Sequence, residues 1–265
     1  MKLSIVTIVF NDLNGLKKTS ESVIPLLSNQ VEWWVIDGSS NNEVKQYLGS
    51  HPHPQLNWIS EKDNGIYDAM NKSLKLVIGN YVIFMNAGDM FYAGFSPMAM
   101  LEKSNAKGET ILGYSIETFG SDKYLRPGVG REIKSFTSPS HQATFYPRAF
   151  YTKERYDLRL PVGADGDYTA KAIKSQGATF IPVIVCEFEL GGTSSNYSCP
   201  RTVIKRIIED RSIKSFVLLS TKFLLWKLLS QRLFYRLLSV GRYTRITEGA
   251  PLPLPTQPLS RIQQH

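Results

Sequence analysis

The chain has 265 residues, 42% hydrophobic and 11% aromatic, enough to bury a full core in one large domain or one domain with an appendage, and too apolar for disorder over most of its length. Its two cysteines, Cys186 and Cys199, lack CxxC spacing, which argues against a disulfide scaffold and a zinc site and for a reducing cytoplasm. The net charge of +8 is a C-terminal property: residues 1–200 carry 19 Lys/Arg against 20 Asp/Glu, whereas residues 201–245 carry 11 against 2.

The chain opens on "MKLSIVTIVFND". One lysine precedes the apolar run and polar Asn11 and Asp12 follow it without a small-residue cleavage site, so it reads as a buried strand and not as a signal peptide. Four such runs, at 3–10, 32–37, 56–60 and 81–86, are rich in β-branched and aromatic residues and alternate with helix-compatible stretches. That rhythm predicts βαβ units, a parallel sheet and helices on both of its faces. After the third run, Ile66, Met70, Leu74 and Val77 recur near helical spacing, and Asp63 or Asn64 is expected to cap that helix.

In an open parallel sheet, ligands bind outside the carboxyl ends of the strands. Each predicted strand ends in polar or acidic residues: Asn11 and Asp12, Asp37, Glu61 and Asp63, then Asn86 and Asp89. One such residue is ordinary turn chemistry, but four in register make an acidic rim. This rim suits a divalent cation, sugar hydroxyls and the N–H of a base better than a bare phosphate. The chain has no GxGxxG after its first strand, no GxxxxGK[ST] and no GxSxG, so a bound nucleotide would have its phosphates neutralised by a cation and not by a glycine-rich loop.

"SIVTIVFND", "VIDGSSNN", "SEKDNGIYDAMNKS" and "FMNAGD", in this order, resemble the family 2 glycosyltransferases of the GT-A fold, and within them most closely the enzymes of colanic-acid-type exopolysaccharide assembly. The resemblance continues through "SHQATFYPR", "RYDLRLPVGADGDYTAKAIKSQGATF" and "EFELGGTS" and covers about the first 195 residues. It implies that Thr7 and the backbone around Val9 and Asn11 line the nucleoside pocket and that Asp37 accepts a hydrogen bond from the base. Asp63, Asn64 and Asn86 would then lie beside the donor, and Asp89 would bind the Mn²⁺ or Mg²⁺ that bridges the donor diphosphate. Many members have two adjacent acids at the last position, where this chain has Gly88 before Asp89. The resemblance also implies a general base in "GADGD": Asp165 takes the proton from the acceptor hydroxyl and Asp167 supports it. His141, Gly191 and Gly192 would sit on the acceptor side.

Residues 203–240 interleave Leu, Phe and Trp226 with Lys and Arg, and the longest charge-free stretch there, 215–221, is seven residues, far short of a bilayer span. The pattern suits amphipathic helices on an anionic membrane surface through residues 203–245, or a helical subdomain packed on the catalytic domain. The expected organisation is a catalytic domain at 1–198, with a donor half at 1–90 and an acceptor half at 91–198. A basic helical segment follows at 199–246 and a disordered Pro-rich tail at 247–265. The expected activity is inverting transfer of one sugar from a nucleotide-sugar to a lipid-linked oligosaccharide, in bacterial exopolysaccharide, capsule or O-antigen synthesis at the inner face of the plasma membrane. A nucleotidyltransferase is the enzymatic alternative and lacks the glycine-rich, basic loop it would need. A nucleic-acid-binding module is the other, and the acidic rim stands where phosphates would lie, so no nucleic-acid partner is expected.

Overall fold

The computed structural model describes residues 1–105, 108–128, 139–160 and 163–190, together with short stretches between 221 and 262. The four apolar runs form strands β1 (Leu3–Val9), β2 (Val31–Asp37), β3 (Leu56–Ser60) and β4 (Tyr81–Phe84). They lie in the order β4, β1, β2, β3, all parallel. The register sets Val9 beside Asp37 and Asp37 beside Ser60, so the carboxyl ends of three strands stop at one level.

Helices α1 (Leu13–Val23), α2 (Glu43–Ser50) and α3 (Ile66–Ser73) connect these strands. Alternation along β1 divides the core between the two faces of the sheet. Leu3, Ile5 and Val9 pack with Leu16 and Val23 of α1 and Val44 and Leu48 of α2, whereas Val6 and Ile8 pack with Tyr67, Ala69 and Met70 of α3. Helix α3 departs from the expected stripe at its first residue: Met70, Leu74 and Val77 are buried, but Ile66 is exposed and Tyr67 turns inward instead. Its N-cap is Gly65 at φ 115°, with no side-chain cap, so neither Asp63 nor Asn64 fills that role. A left-handed backbone there favours glycine and leaves both neighbouring side chains outside the helix.

The second half contains β5 (Met90–Phe91), α4 (Pro97–Lys103), β6 (Thr110–Phe119), β7 (Asp122–Arg126), β8 (Thr144–Pro147), α5 (Arg148–Tyr151), α6 (Ala164–Gln176) and β9 (Ala178–Glu189). Strand β8 enters antiparallel between β4 and β6, and β6 pairs antiparallel with β7 but parallel with β9. The sheet is therefore mixed: parallel through the first four strands and predominantly antiparallel beyond them, because short hairpin links such as the one at Gly120 replace helical crossovers.

Much of the basic segment, and Trp226 within it, lies outside the described residues. Of the remainder, Leu224, Leu228, Leu233 and Leu237 are helical and exposed, while Phe234 is fully buried. Arg236 and Arg245 both reach the buried carboxylate of Asp122, at 3.2 and 3.0 Å. Two further strands, β10 (Thr244–Ile246) and β11 (Leu259–Ile262), add to β7 and β9. The helix expected to run to residue 246 thus ends in a strand. Of the Pro-rich tail, Leu252 and Leu254 pack against the cluster of Leu112, Tyr114 and Phe180, and most of the rest lies outside the described residues. An open sheet edge and alternate leucines supply burial that composition alone does not reveal.

Candidate active site

The rim is laced together by its own side chains. Asp37 is fully buried at the end of β2, where Oδ1 accepts from the Ser39 N–H at 2.9 Å and Oδ2 from the Ser60 hydroxyl at 2.7 Å. Asn11, at φ 51°, accepts from the Ser40 N–H at 2.9 Å through Oδ1, and its own N–H donates to Ser39 Oγ at 2.8 Å. Asp63 accepts from the Gly65 N–H at 2.9 Å and lies so close to Gly38 that a Cβ there would fall 1.8 Å from its Oδ2. Asn64 donates its backbone N–H to Asp68 at 2.9 Å and is exposed. Thr7 and Val9 are buried, and Thr7 Oγ1 accepts from the Trp33 indole at 2.9 Å, on the α1 face of the sheet and below the rim.

The turn at 86–89 is fastened to α1. Thr19 Oγ1 approaches the carbonyls of Asn86 at 3.1 Å and Asp89 at 2.7 Å and accepts from the Gly88 N–H at 3.0 Å. A second bond joins the Gly88 N–H to the Gly15 carbonyl at 3.0 Å, which brings the turn against a glycine on the helix. Gly88 has φ 94°, so a second acid at this position would be strained, and the departure from a paired-acid motif has a backbone cause. Asp89 Oδ2 accepts from the Gln142 amide at 3.1 Å. Burial raises the Asp89 carboxyl to about 7 against the opposing effects of Gln142 and Lys18.

Among the described residues, no group of three or more His, Cys, Asp or Glu side chains is placed to hold a metal ion. The turn nevertheless fits a hard divalent cation that takes its remaining ligands from a diphosphate and water. Asp89 supplies a carboxylate, and Asn86 Oδ1 is a buried acceptor with no partner among the described residues.

On the opposite face of the sheet, α6 begins after Gly163, at φ 91°, and carries Asp165 in its first turn. Tyr67 of α3 donates its phenol to Asp165 Oδ1 at 3.0 Å and accepts from the Gly163 N–H at 3.0 Å, fixing helix start and carboxylate together. Burial and the adjoining Asp165 carboxylate hold the Tyr67 hydroxyl well above its ordinary range, so it stays a donor. Asp167 points elsewhere and pairs with Lys171 at 2.8 Å on the surface. His141 is buried, packs at a tilt against Phe84 and shares a hydrogen bond of 2.6 Å with the Tyr156 hydroxyl. Burial lowers its pKa to about 4, and the nearby Asp165 charge only partly opposes this, so the ring is neutral.

Adjacent residues therefore reach towards opposite halves of the site. Gln142 holds Asp89, while His141 lies within the field of Asp165 and shares the aromatic cluster of Tyr67, Tyr156 and Tyr168. Sequence reasoning missed Thr19, Tyr67 and Gln142. Tyr67 and Gln142 lie inside quoted motifs, and Thr19 carried no signal. Gly191 and Gly192 lie outside the described residues.

The model of the family described as "Glycosyl transferase family 2" matches residues 4–173, and the chain belongs to that family. It is 29% identical over 202 residues to an uncharacterized glycosyltransferase of Mycobacterium tuberculosis, covering 73% of this chain and 77% of that protein. A PGL/p-HBAD biosynthesis glycosyltransferase of Mycobacterium bovis is 24% identical over 215 residues, covering 77% and 83%. The fold is similar to that of the mannosyltransferase PcManGT from Pyrobaculum calidifontis, solved in complex with GDP-Man and Mn²⁺, with TM-score 0.60 and 14% identity over 91% of this chain and 79% of that one. The architecture is that of GT-A glycosyltransferases, and the protein is a glycosyltransferase.

Proposed function

We propose that this glycosyltransferase transfers one sugar, with inversion, from a nucleotide-sugar to a lipid-linked oligosaccharide during assembly of a bacterial exopolysaccharide, capsule or O-antigen, in the manner of the colanic-acid-type enzymes it resembles. The observation that carries the reading is a pair of carboxylates, one held by Gln142 and the other by Tyr67, with His141, next to Gln142 in the chain, in the field of the second. Asp89 sits in a turn whose Asn86 amide oxygen has no partner among the described residues, and Asp165 is held by a phenol on the other face of the sheet. A bound Mn²⁺ or Mg²⁺ would supply charge neutralisation for the departing diphosphate. Asp89 and Asn86 would hold it, and a structural neighbour solved with GDP-Man and Mn²⁺ supports this reading.

Asp165 would accept the acceptor hydroxyl's proton late in bond formation, and the Tyr67 phenol would keep one oxygen oriented so that the other faces the acceptor. The donor would lie over the rim, with the sugar and ribose against Asp63, Asn64 and Asn11. The base would reach the buried Asp37 carboxylate by displacing one of the contacts from Ser39 and Ser60 that now cover it. Asp167 would support α6 only through its surface pair with Lys171, one turn further on. Acceptor-side roles for His141, Gly191 and Gly192 are part of the same proposal, with His141 a neutral wall of the site.

Among the described residues no helix is long and apolar enough to cross a membrane. We propose that the exposed leucines at 224, 228, 233 and 237, with the basic excess of residues 203–245, rest on an anionic membrane surface where the lipid-linked acceptor resides.

The test is thermal stabilisation by a panel of UDP- and GDP-sugars with Mn²⁺ or Mg²⁺, followed by transfer to a lipid-linked glycan and determination of the product's anomeric configuration. One donor should stabilise the protein only with metal, and the product should be inverted. Retention of configuration, or stabilisation that ignores metal, would overturn the mechanism. Sedimentation with phosphatidylglycerol vesicles but not with neutral ones is the expected membrane result.

A further inference from the structure

Strand β6 presents Ser115 and Glu117 on one face, and the register brings Ser115 beside Arg126 of β7 and Cys186 of β9. Cys186 in turn lies beside Phe91 of β5, two residues beyond Asp89. In this neighbourhood Glu117, fully buried, accepts from Arg126 Nη1 at 2.8 Å, while its Oε2 has no partner among the described residues. The Arg126 side chain remains 27% exposed. Tyr243, immediately before β10, places its ring 5.9 Å from the guanidinium carbon and lies edge-on to Tyr124 at 6.1 Å. Burial is the largest single influence and works against the Arg126 charge, but Glu117, Tyr243 and Asp165 together more than offset it. Asp89 and Glu117 likewise both act on the Cys186 thiol, which burial first of all holds above its ordinary range. Arg126 thus lies in the field of Asp165, and Cys186, which shares Ser115 with it as a strand neighbour, lies in that of Asp89.

A buried carboxylate–guanidinium pair adds little net stability, because desolvation cancels most of the attraction. A buried carboxylate oxygen without a partner is a further cost. What the arrangement does supply is a planar cation of fixed orientation, the geometry that matches phosphate oxygens. The chain has no glycine-rich phosphate cradle. We propose that Arg126 is a phosphate-binding residue of the cleft, with Glu117 and Tyr243 as its positioning residues, so that the C-terminal strand β10 completes the site. The phosphate comes either from the donor diphosphate or from a phosphate-linked acceptor. The choice between these two sources rests on the glycosyltransfer reading above; the anion site itself does not.

The site is tested first without turnover, by calorimetric titration of the full chain with inorganic pyrophosphate in EDTA. Arg126→Gln should raise the pyrophosphate Kd by about tenfold or more, Arg126→Lys by less, because a point charge replaces a planar fork. Tyr243→Ala should weaken binding about threefold and Tyr243→Phe should restore it, since the ring face and not the hydroxyl meets the guanidinium. Melting curves verify folding, and Arg126→Lys carries the test if Arg126→Gln does not fold. Equal pyrophosphate binding by parent and Arg126 variants overturns the proposal, as does a parent that does not bind pyrophosphate. The source is then read in two arms. A raised Kd for UDP or GDP with Mn²⁺ and an unchanged acceptor KM assign the donor. A raised KM confined to a diphosphate-linked acceptor, with a phosphate-free alkyl glycoside unaffected, assigns the acceptor. If the parent shows neither metal-dependent nucleotide binding nor transfer while Arg126→Gln loses pyrophosphate, the proposed function fails and the anion site stands.

Discussion

Asp89 and Asp165 are positioned by different means. The first sits in a turn that backbone and hydroxyl groups fasten to α1 through Thr19, Gly15 and Gly88, so its place depends on short polar contacts that its main-chain atoms make with one hydroxyl and one carbonyl of the helix. The second rides on a helix start that one phenol ties to α3, above a packed group of tyrosines. A turn that is to present oxygen ligands needs fixed main-chain geometry, whereas a proton acceptor needs an orientation that a single donor can set. The contrast teaches that the metal-side turn should fail through geometry and the base-side carboxylate through chemistry.

The contrast is sharpest in the largest expected effects. Asp165→Asn keeps the size of the side chain but cannot take a proton, so kcat should fall by about 10²–10⁴ while nucleotide affinity stays near that of the parent. Asp89→Ala should abolish transfer and remove the metal dependence of nucleotide binding together. A common loss of nucleotide affinity in both variants would erase the distinction.

Thr19→Val keeps the shape and deletes the hydroxyl that ties the turn. It should weaken metal-dependent nucleotide binding about tenfold, measured by titration with Mn²⁺, and lower stability by about 1–3 kcal/mol, measured by denaturant unfolding. Tyr67→Phe removes the donor to Asp165 and leaves the ring stacked on Tyr156. It should reduce kcat by about tenfold, a small part of the general-base contribution, with nucleotide Kd unchanged. If Tyr67→Phe instead mimics Thr19→Val, with lost nucleotide affinity, the two halves are not separately built.

The buried ring between the halves adds a pH signature. His141 titrates near 4 in the folded protein and near 6.5 when unfolded, so between those values the unfolded chain binds more protons. Its contribution to stability is fully present above about 6.5 and is lost as pH falls towards 4, and His141→Gln should flatten that part of an unfolding profile. The smallest effect belongs to Asp167→Asn: its exposed pair with Lys171 is worth about 0.5 kcal/mol or less, and kcat should stay within about twofold of the parent.

The amino-acid sequence by itself determines part of this. The four strands and their polar ends follow from runs of β-branched and aromatic residues that stop at Asn, Asp and Gly, and such local chemistry survives folding. The ordered motifs likewise identify the family that the comparison bears out. Tertiary structure decided what depends on distant partners. It separated Asp165 from Asp167, two residues apart, through a tyrosine 98 positions away from the first of them. It brought Gln142 to Asp89 across 53 positions and Thr19 to the same turn across about 70, and it replaced the expected caps at 63 and 64 with Gly65. It also brought part of the C-terminal charge onto the buried Asp122, a pairing that net charge along the sequence does not reveal. Propensity and periodicity report on a few neighbouring residues, but the place of a carboxylate is set by whichever hydrogen-bond donor the fold carries to it.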